Sequence, residues 1–332
     1  MTNLELYNFQ DNKDLLTEEF TSEAEWLQLR RKGIGGSDIG ALMKLNTHCS
    51  PLNIYRQKVE GWHADLSDNV YIKKGKDLED FILQNYVIPK LSPKGYIVRK
   101  PNFMFINSNF PYLRANVDGI AYKPNTPSSE NLIIEIKWVS EWAQKNWNSD
   151  EYCGIPASYY AQVQLYMAVT GCQNAKLFAL FDSEWEVHEY NIPRDELFIL
   201  QLKATAKKFY EINMNMKIPP MLDSELDKSD VVNALKTTPI EEHIPNAEMS
   251  KYALAYKNIS KKIKDAEKLE KKLKDNILNL HLQGYKPDDE SISVKFSVVS
   301  TRRFNSTKFK EDYEDLYNQY CEDSEFSKFT IK

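Results

Sequence analysis

Near the middle of the chain, the segment Ile133-Ile134-Glu135-Ile136-Lys137-Trp138 alternates apolar and charged residues. That alternation predicts a strand with Glu135 and Lys137 on one face, roughly 7 Å apart along the backbone, and with Ile134, Ile136 and Trp138 on the other. A Glu-x-Lys pair on a strand is ordinarily a surface ion pair contributing under roughly 1 kcal/mol. Asp118 lifts this pair out of the ordinary. It ends the preceding predicted strand in LRANVDGIAY, with Gly119 after it. If the two strands are hairpin neighbours across YKPNTPSSEN, two carboxylates converge on one hard cation. Mg²⁺ takes one or two carboxylates, waters and substrate phosphate oxygens, and this site offers that set. Such an ion polarises a phosphoryl group and acidifies its bound water, and a second ion about 4 Å away stabilises the leaving oxygen. Lys137 would orient or deprotonate the water. The reaction class implied is phosphodiester hydrolysis.

The elements that must position these groups are legible around them. Residues 1–20 are acidic and polar and read as a loose arm. A helix is predicted over EAEWLQLRRK, with Thr21 or Ser22 as its cap, ending at Gly33. GIGGSDIGALM reads as a Gly-rich turn and a short helix capped by Ser37, and Ser50-Pro51 starts another helix. A longer helix follows over DNVYIKKGKDLEDFILQNYV, ending before Pro89. GYIVRK, NFMFIN, LRANVDGIAY and NLIIEIKWV are short, β-rich and separated by turn residues. Beyond them a helix over PASYYAQVQLYMAVTG, strands at AKLFALF and EWEVHEYNI, and a helix from Pro193 to about Met214 complete an α/β core with mixed pairing. Pro219-Pro220 marks a boundary, giving a core over 21–220 and an extension over 221–332. In the extension, Tyr252, Tyr256, Ile259, Ile263, Ala266, Leu269, Leu273, Ile277 and Leu280 step by three or four, the seam of an amphipathic helix. SISVKFSVV alternates as a strand does, and KFKEDYEDLYNQY reads as a closing helix.

Composition excludes several other classes. The 332 residues are 42% hydrophobic, 27% charged and 12% aromatic, enough to bury a sizeable core. Cys49, Cys153, Cys172 and Cys321 form no Cys-x-x-Cys pair, so neither a disulfide framework nor a zinc or iron–sulfur site is suggested. His48, His63, His188, His243 and His281 are equally dispersed, which leaves carboxylates to do the chemistry. The start lacks a basic n-region and an apolar h-region, and no window approaches the roughly 18 apolar residues of a membrane span, so a cytoplasmic protein is expected. The net charge of −5 speaks against uniform positive charge but not against local patches. Arg30-Arg31-Lys32 is one such patch. The other holds nine lysines against three acidic residues between Lys251 and Lys274, either a DNA path, a dock for a partner, or a solvated helix face.

The Asp118…Glu135-x-Lys137 order resembles the PD-(D/E)XK nuclease superfamily, with Val117 in place of the nominal proline. Further motifs, spread over residues 26–181, narrow the resemblance to the lambda-exonuclease and YqaJ-like viral recombinase branch. In the family's order these are Trp26-x-x-x-Arg30 with Gly35-Gly36-Ser37-Asp38, then Gly75-Lys76-Asp77-Leu78-Glu79, then Tyr160-Ala161-Gln162-Val163-Gln164. The resemblance implies a restriction-endonuclease-like core, a central mixed sheet flanked by helices, with a C-terminal helical extension carrying a small β element.

It also implies roles. Asp118, Glu135, Lys137, Gln162 and Glu79 would be catalytic, with Asp118, Glu135, Glu79 and the Ile136 carbonyl as metal ligands. Arg30 and Ser37 would hold the 5′ phosphate of the strand being cut, as a guanidinium fork and a helix start can. Gln162 would bond the attacking water or the scissile phosphate. Trp26 is expected in the core. The implied activity is a Mg²⁺-dependent 5′-to-3′ exonuclease on linear duplex DNA, with Mn²⁺ substituting and two ions per site. It would leave 3′ overhangs for a phage-type single-strand annealing protein, act as a ring-shaped homo-oligomer, a trimer by resemblance, and work in the cytosol of a bacterial host if phage-encoded. An endonuclease on the same core, or a catalytically idle DNA-binding scaffold, are the alternatives. CRISPR-associated relatives are disfavoured because they need clustered cysteines.

Overall fold

The computed structural model describes residues 2–62, 69–237, 245–289, 291–322 and 326–330, in two compact units, Met1–Asp227 and Lys228–Lys332. The first unit begins with α1 (Asn3–Leu6) and β1 (Leu15–Glu19). The polar opening stretch is therefore no loose arm. Phe9 and Leu15 are 0% and 1% exposed, and Phe9 packs edge-on against Phe105 at 5.3 Å. Burial of these two apolar side chains outweighs the polar composition around them.

Next come α2 (Glu23–Arg31), whose cap Ser22 accepts from the Glu25 N–H, α3 (Gly36–Leu42), and α4 (Pro51–Tyr55), capped by Ser50. The long helix α5 (Val70–Ile82) does not stop before Pro89. It passes through a π-helical turn at Leu83–Val87 into α6 (Ile88–Leu91), where Pro89 lies in a first turn. Proline has no N–H to offer the preceding turn, and the π turn directly before it is where the helical hydrogen-bond register changes.

Two sheets follow. The smaller runs β1–β3–β4, all antiparallel, with β3 at Phe103–Asn107 and β4 at Arg114–Ala115. The larger runs β2–β5–β6–β7–β8, from Ile97–Arg99, Gly119–Tyr122, Leu132–Val139, Asn174–Phe181 and Glu186–Pro193. Only β6 and β7 are parallel, which makes the sheet mixed. Their crossover carries α7 (Ala157–Thr170), as parallel neighbours require. LRANVDGIAY, read as one strand, is thus two. Its halves join different sheets, and the chain changes sheet at Asn116–Asp118. The β5–β6 hairpin forms as expected, with Gly119 opposite Ile134.

Both faces of the larger sheet are covered. Ile134, Ile136, Phe178 and Leu180 pack with Ile82, Leu83, Val87 and Leu91 on one side. Ile133 and Val139 pack with α7 on the other, where Leu202 and Ala206 of α8 (Glu196–Lys208) also lie. The unit continues past Pro220. Ser50 donates to Asp227 at 2.6 Å, and the Asp223 N–H donates to the same carboxylate at 2.8 Å.

The second unit contains α9 (Lys228–Thr237), the 36-residue α10 (Ala247–Leu282), α11 (Ser306–Asp312) and α12 (Glu314–Tyr320). The α10 seam is present, yet none of the helix's residues is buried. The expected strand over 291–299 does not form, and no β element occurs among the described residues of this unit. Alternation makes a strand only where a second strand takes up its hydrogen bonds.

Candidate active site

The seven side chains singled out in the sequence line one cavity of about 170 Å³, together with Trp26, Met104, Arg114, Asn116 and Tyr166. β6 supplies Glu135 and Lys137 on the face toward α7, as their alternation with Ile134 and Ile136 demands. Asp118 arrives from the break between β4 and β5. Gln162 comes from α7, Glu79 from α5, Arg30 from α2 and Ser37 from α3.

Contacts fix their orientation. Lys137 and Gln162 both donate to Oε1 of Glu135, Gln162 at 2.6 Å, and Gln162 also donates to the Tyr166 hydroxyl at 2.9 Å. Glu135 is 1% exposed, and its Oε2 has no hydrogen-bond partner. The Asp118 carboxylate accepts from the Ile136 N–H at 2.8 Å. The N–H and C=O of one strand residue project to the same side, so the Ile136 carbonyl also lies on the Asp118 side of β6. Glu79 is half-buried and pairs loosely with Lys100 at 3.8 Å.

Electrostatics in this cavity are unfavourable to ionised carboxylates. Burial, then the nearby Asp118, pushes the Glu135 carboxyl up to about 8, and the same two causes push Glu79 up to about 7. Burial also raises Asp118, against the pull of Lys137. Burial alone would lower Lys137, but Glu135 and Asp118 outweigh it and raise its pKa. Held as an ammonium ion by the two carboxylates, Lys137 can orient a water in this cavity.

Asp38 and Lys58 were missed as positioning groups. Asp38 is buried, bonds Lys58 at 2.5 Å and Arg30 at 3.2 Å, and caps α3 by accepting from the Gly35 N–H at 2.8 Å. Ser37 is therefore not the cap. Its hydroxyl instead accepts from Arg30 at 2.6 Å. Trp26 lies outside the core, half-buried, with the Arg30 guanidinium 4.9 Å from its ring centroid. Tyr166, one helical turn after Gln162, could have been found from the i, i+4 rule. Nothing local marks Lys58 in RQKVE.

The donor set fits a hard divalent cation. Glu135 Oε2 is a buried oxygen without a partner, and three crowded carboxyls with raised pKa values are what a dication relieves. The exposed Glu184 and Glu186 with His188 bring ligand atoms within 4.8 Å of one another; the cavity carboxylates are not drawn together so closely. The former is a solvated surface cluster, with His188 paired to Glu184 at 3.6 Å.

Residues 25–173, which contain every residue lining the cavity, match the model of the YqaJ-like viral recombinase domain. Over those residues the chain is similar to the YqaJ-like viral recombinase domain. It is 27% identical over 321 residues to the uncharacterized protein YqaJ of Bacillus subtilis (strain 168), covering 94% of each chain. The alkaline exonuclease LHK-Exo of Laribacter hongkongensis is similar at 19% identity and a TM-score of 0.44, over 65% of this chain and 100% of that one. A phage-related exonuclease from Haemophilus somnus 129PT is similar at 14% identity and a TM-score of 0.41, over 58% and 100%. Among the described residues, no helix is long and apolar enough to cross a membrane.

Proposed function

We propose that this chain is a divalent-cation-dependent deoxyribonuclease, a phage-type exonuclease of recombination that removes nucleotides from the 5′ ends of linear duplex DNA. One observation carries the reading. A buried carboxylate oxygen without a partner, on Glu135, lies in the same small cavity as Asp118, Glu79, Lys137, Gln162 and the Arg30–Ser37 pair.

Asp118, Glu135, Glu79 and the Ile136 carbonyl would hold Mg²⁺, one ion or two, with Mn²⁺ as a substitute. The bound metal supplies charge for the phosphoryl oxygens and an acidified water. Lys137 keeps its proton and directs it toward the attacking water and the developing phosphoryl charge. Gln162, bonded to Glu135 and Tyr166, fixes the carboxylate's rotamer and offers its amide to the water or scissile phosphate. Arg30, stacked on Trp26 and anchored by Asp38, holds the terminal phosphate with Ser37 and so sets which bond faces the carboxylates.

The product would be a duplex with 3′ overhangs, the substrate of a single-strand annealing protein in a bacterial host's cytosol. A closed ring of copies, a trimer, would suit an acidic chain, since only the inner surface need be basic. The test uses purified protein with Mg²⁺ on linear duplexes labelled at either end, beside circular plasmid and an EDTA control. Release of the 5′ label from the linear duplexes, with the circles left untouched, is expected. Linearised circles would replace the exonuclease with an endonuclease, and no cleavage in Mg²⁺ or Mn²⁺ would leave only a DNA-binding scaffold.

A further inference from the structure

The 36-residue helix α10 is amphipathic, yet none of its residues is buried. Its seam keeps a period of seven. Met249, Tyr256, Ile263 and Ile277 fall on one core position of a heptad, a, and Tyr252, Ile259, Ala266, Leu273 and Leu280 on the other, d. A straight helix repeats every 3.6 residues, so an apolar stripe held at 3.5 over four heptads is the pattern of helices that wind round each other. Glu270, at a, is the one charged residue in the stripe. The lysines keep the same phase. None of the nine between Lys251 and Lys274 falls at a or d; seven lie at the outward positions b, c and f, and Lys262 and Lys274 flank the seam at g and e.

A large apolar surface is thereby left in water. The eight large apolar side chains of the seam are between 43% and 72% exposed. Each leaves on the order of 100 Å² to be covered, so the seam offers roughly 800 Å², what one partner contributes to an interface of standard size. Among the described residues, the chain's own tail does not cover it. Phe329 meets Tyr256 edge-on at 5.0 Å and Phe296 lies beside His281 at 5.1 Å, toward either end of the helix, while Ile259, Ile263 and Leu273 between them stay more than half exposed.

Flanking charge selects the occupant and its direction. In a parallel, in-register pair, a g residue faces the e residue five places further along the other strand. Lys262 then faces Glu267 of the second copy, the reverse pair forms on the other side, and no like charges meet at e and g. Antiparallel over their full length, the helices would bring no charged e or g residue to an opposite charge. Ile277 at a between Leu273 and Leu280 at d also suits parallel strands.

We propose that α10 is a self-association element, its seam covered by the α10 of a second copy in a parallel, in-register coiled coil with Glu270 as the one charged core layer. A lone polar a residue fixes register at a cost in stability. The association needs no cleavage and stands apart from the nuclease reading.

The test uses the full chain carrying Cys49→Ser, Cys153→Ser and Cys321→Ser to remove background thiols. One cysteine is then added at d by Leu273→Cys or at b by Lys271→Cys, and mild oxidation is followed by non-reducing electrophoresis. Leu273→Cys should give a disulfide-linked dimer, because equivalent d residues of a parallel pair lie within disulfide reach, and Lys271→Cys should not. Adding Ile263→Asp should abolish the link. Glu270→Ile should shift the loss of linking to higher urea, and Lys264→Ile, which adds the same side chain at an outward position, should not. Equal linking at 271 and 273, or none at 273 in a chain with the parent's circular dichroism, overturns the proposal. So does a link that survives Ile263→Asp, or a Glu270→Ile variant whose urea shift is absent or matched by Lys264→Ile. Linking at 273 in a chain that cuts no DNA sinks the nuclease and keeps the coil, and cleavage without linking does the reverse.

Discussion

Glu135 has one oxygen held by two donors and the other held by none, in the same cavity as the half-buried carboxylate of Asp118. Such an arrangement is unfavourable in isolation and becomes favourable when a dication is shared between the carboxylates. Asp118→Asn leaves an oxygen to accept from the Ile136 N–H but removes the charge. It should fold normally and lose on the order of 10³-fold in hydrolysis, the scale of losing a preorganised charge contact. A steady-state assay that finds activity within tenfold of wild type would remove Asp118 from the site. Cysteine chemistry is predicted to be bland. Burial pushes the Cys172 thiol up to about 12, so it stays a thiol at pH 8. Iodoacetamide on the native protein, followed by mass spectrometry, should label the exposed Cys153 and Cys321 and spare Cys172.

At the scale of elements, the site depends on α2, α3 and α7 meeting closely. A Cβ on Gly36 would fall 2.6 Å from the Tyr166 ring and 2.7 Å from Gln162 Cγ. Gly36→Ala should therefore force α3 and α7 apart, lowering stability by about 1–3 kcal/mol. Because the displaced group is Gln162, kcat should fall as well, and a variant that loses stability with kcat intact would show that Gln162 is idle. The Asp38–Lys58 pair ties the same helices to the chain beyond α4. Asp38→Ala leaves an ammonium buried without its partner, which predicts a loss of about 3–5 kcal/mol by urea denaturation. Lys58→Met, which removes both the charge and its need for a partner, should restore part of that loss in the double variant.

For the molecule as a whole, the metal-free protein should lose stability as pH rises. Glu135 and Glu79 have folded-state values of about 8 and about 7, both above their ordinary 4.5. Between 4.5 and about 8 the folded state holds protons that the unfolded chain has released, so the slope of stability against pH is negative there. This contribution is whole below pH 4.5 and gone above pH 8. Asp38, lowered against its burial by Lys58 and Arg30, works in the opposite direction only below its own ordinary 3.8. A divalent cation binds the deprotonated carboxylates, so the rise in Tm on adding Mg²⁺ should be larger at pH 8.5 than at pH 6. A Mg²⁺ effect independent of pH would contradict the assignment of these ligands.

Local pattern alone determined much of this. The period-two alternation of β6 fixed the shared face of Glu135 and Lys137, the hairpin to Asp118 followed from turn residues, and Ser22 and Ser50 announced their helices. These depend on neighbours a few residues away, which a sequence displays directly. Tertiary structure alone decided that LRANVDGIAY splits between two sheets, that Phe9 and Leu15 enter the core, and that Trp26 leaves it to lie against Arg30. It also decided that SISVKFSVV stays unpaired and that the α10 seam is not buried. Each of these outcomes turns on contacts between residues far apart in the chain. Burial, charge compensation and strand pairing are properties of such contacts, and no local pattern records them.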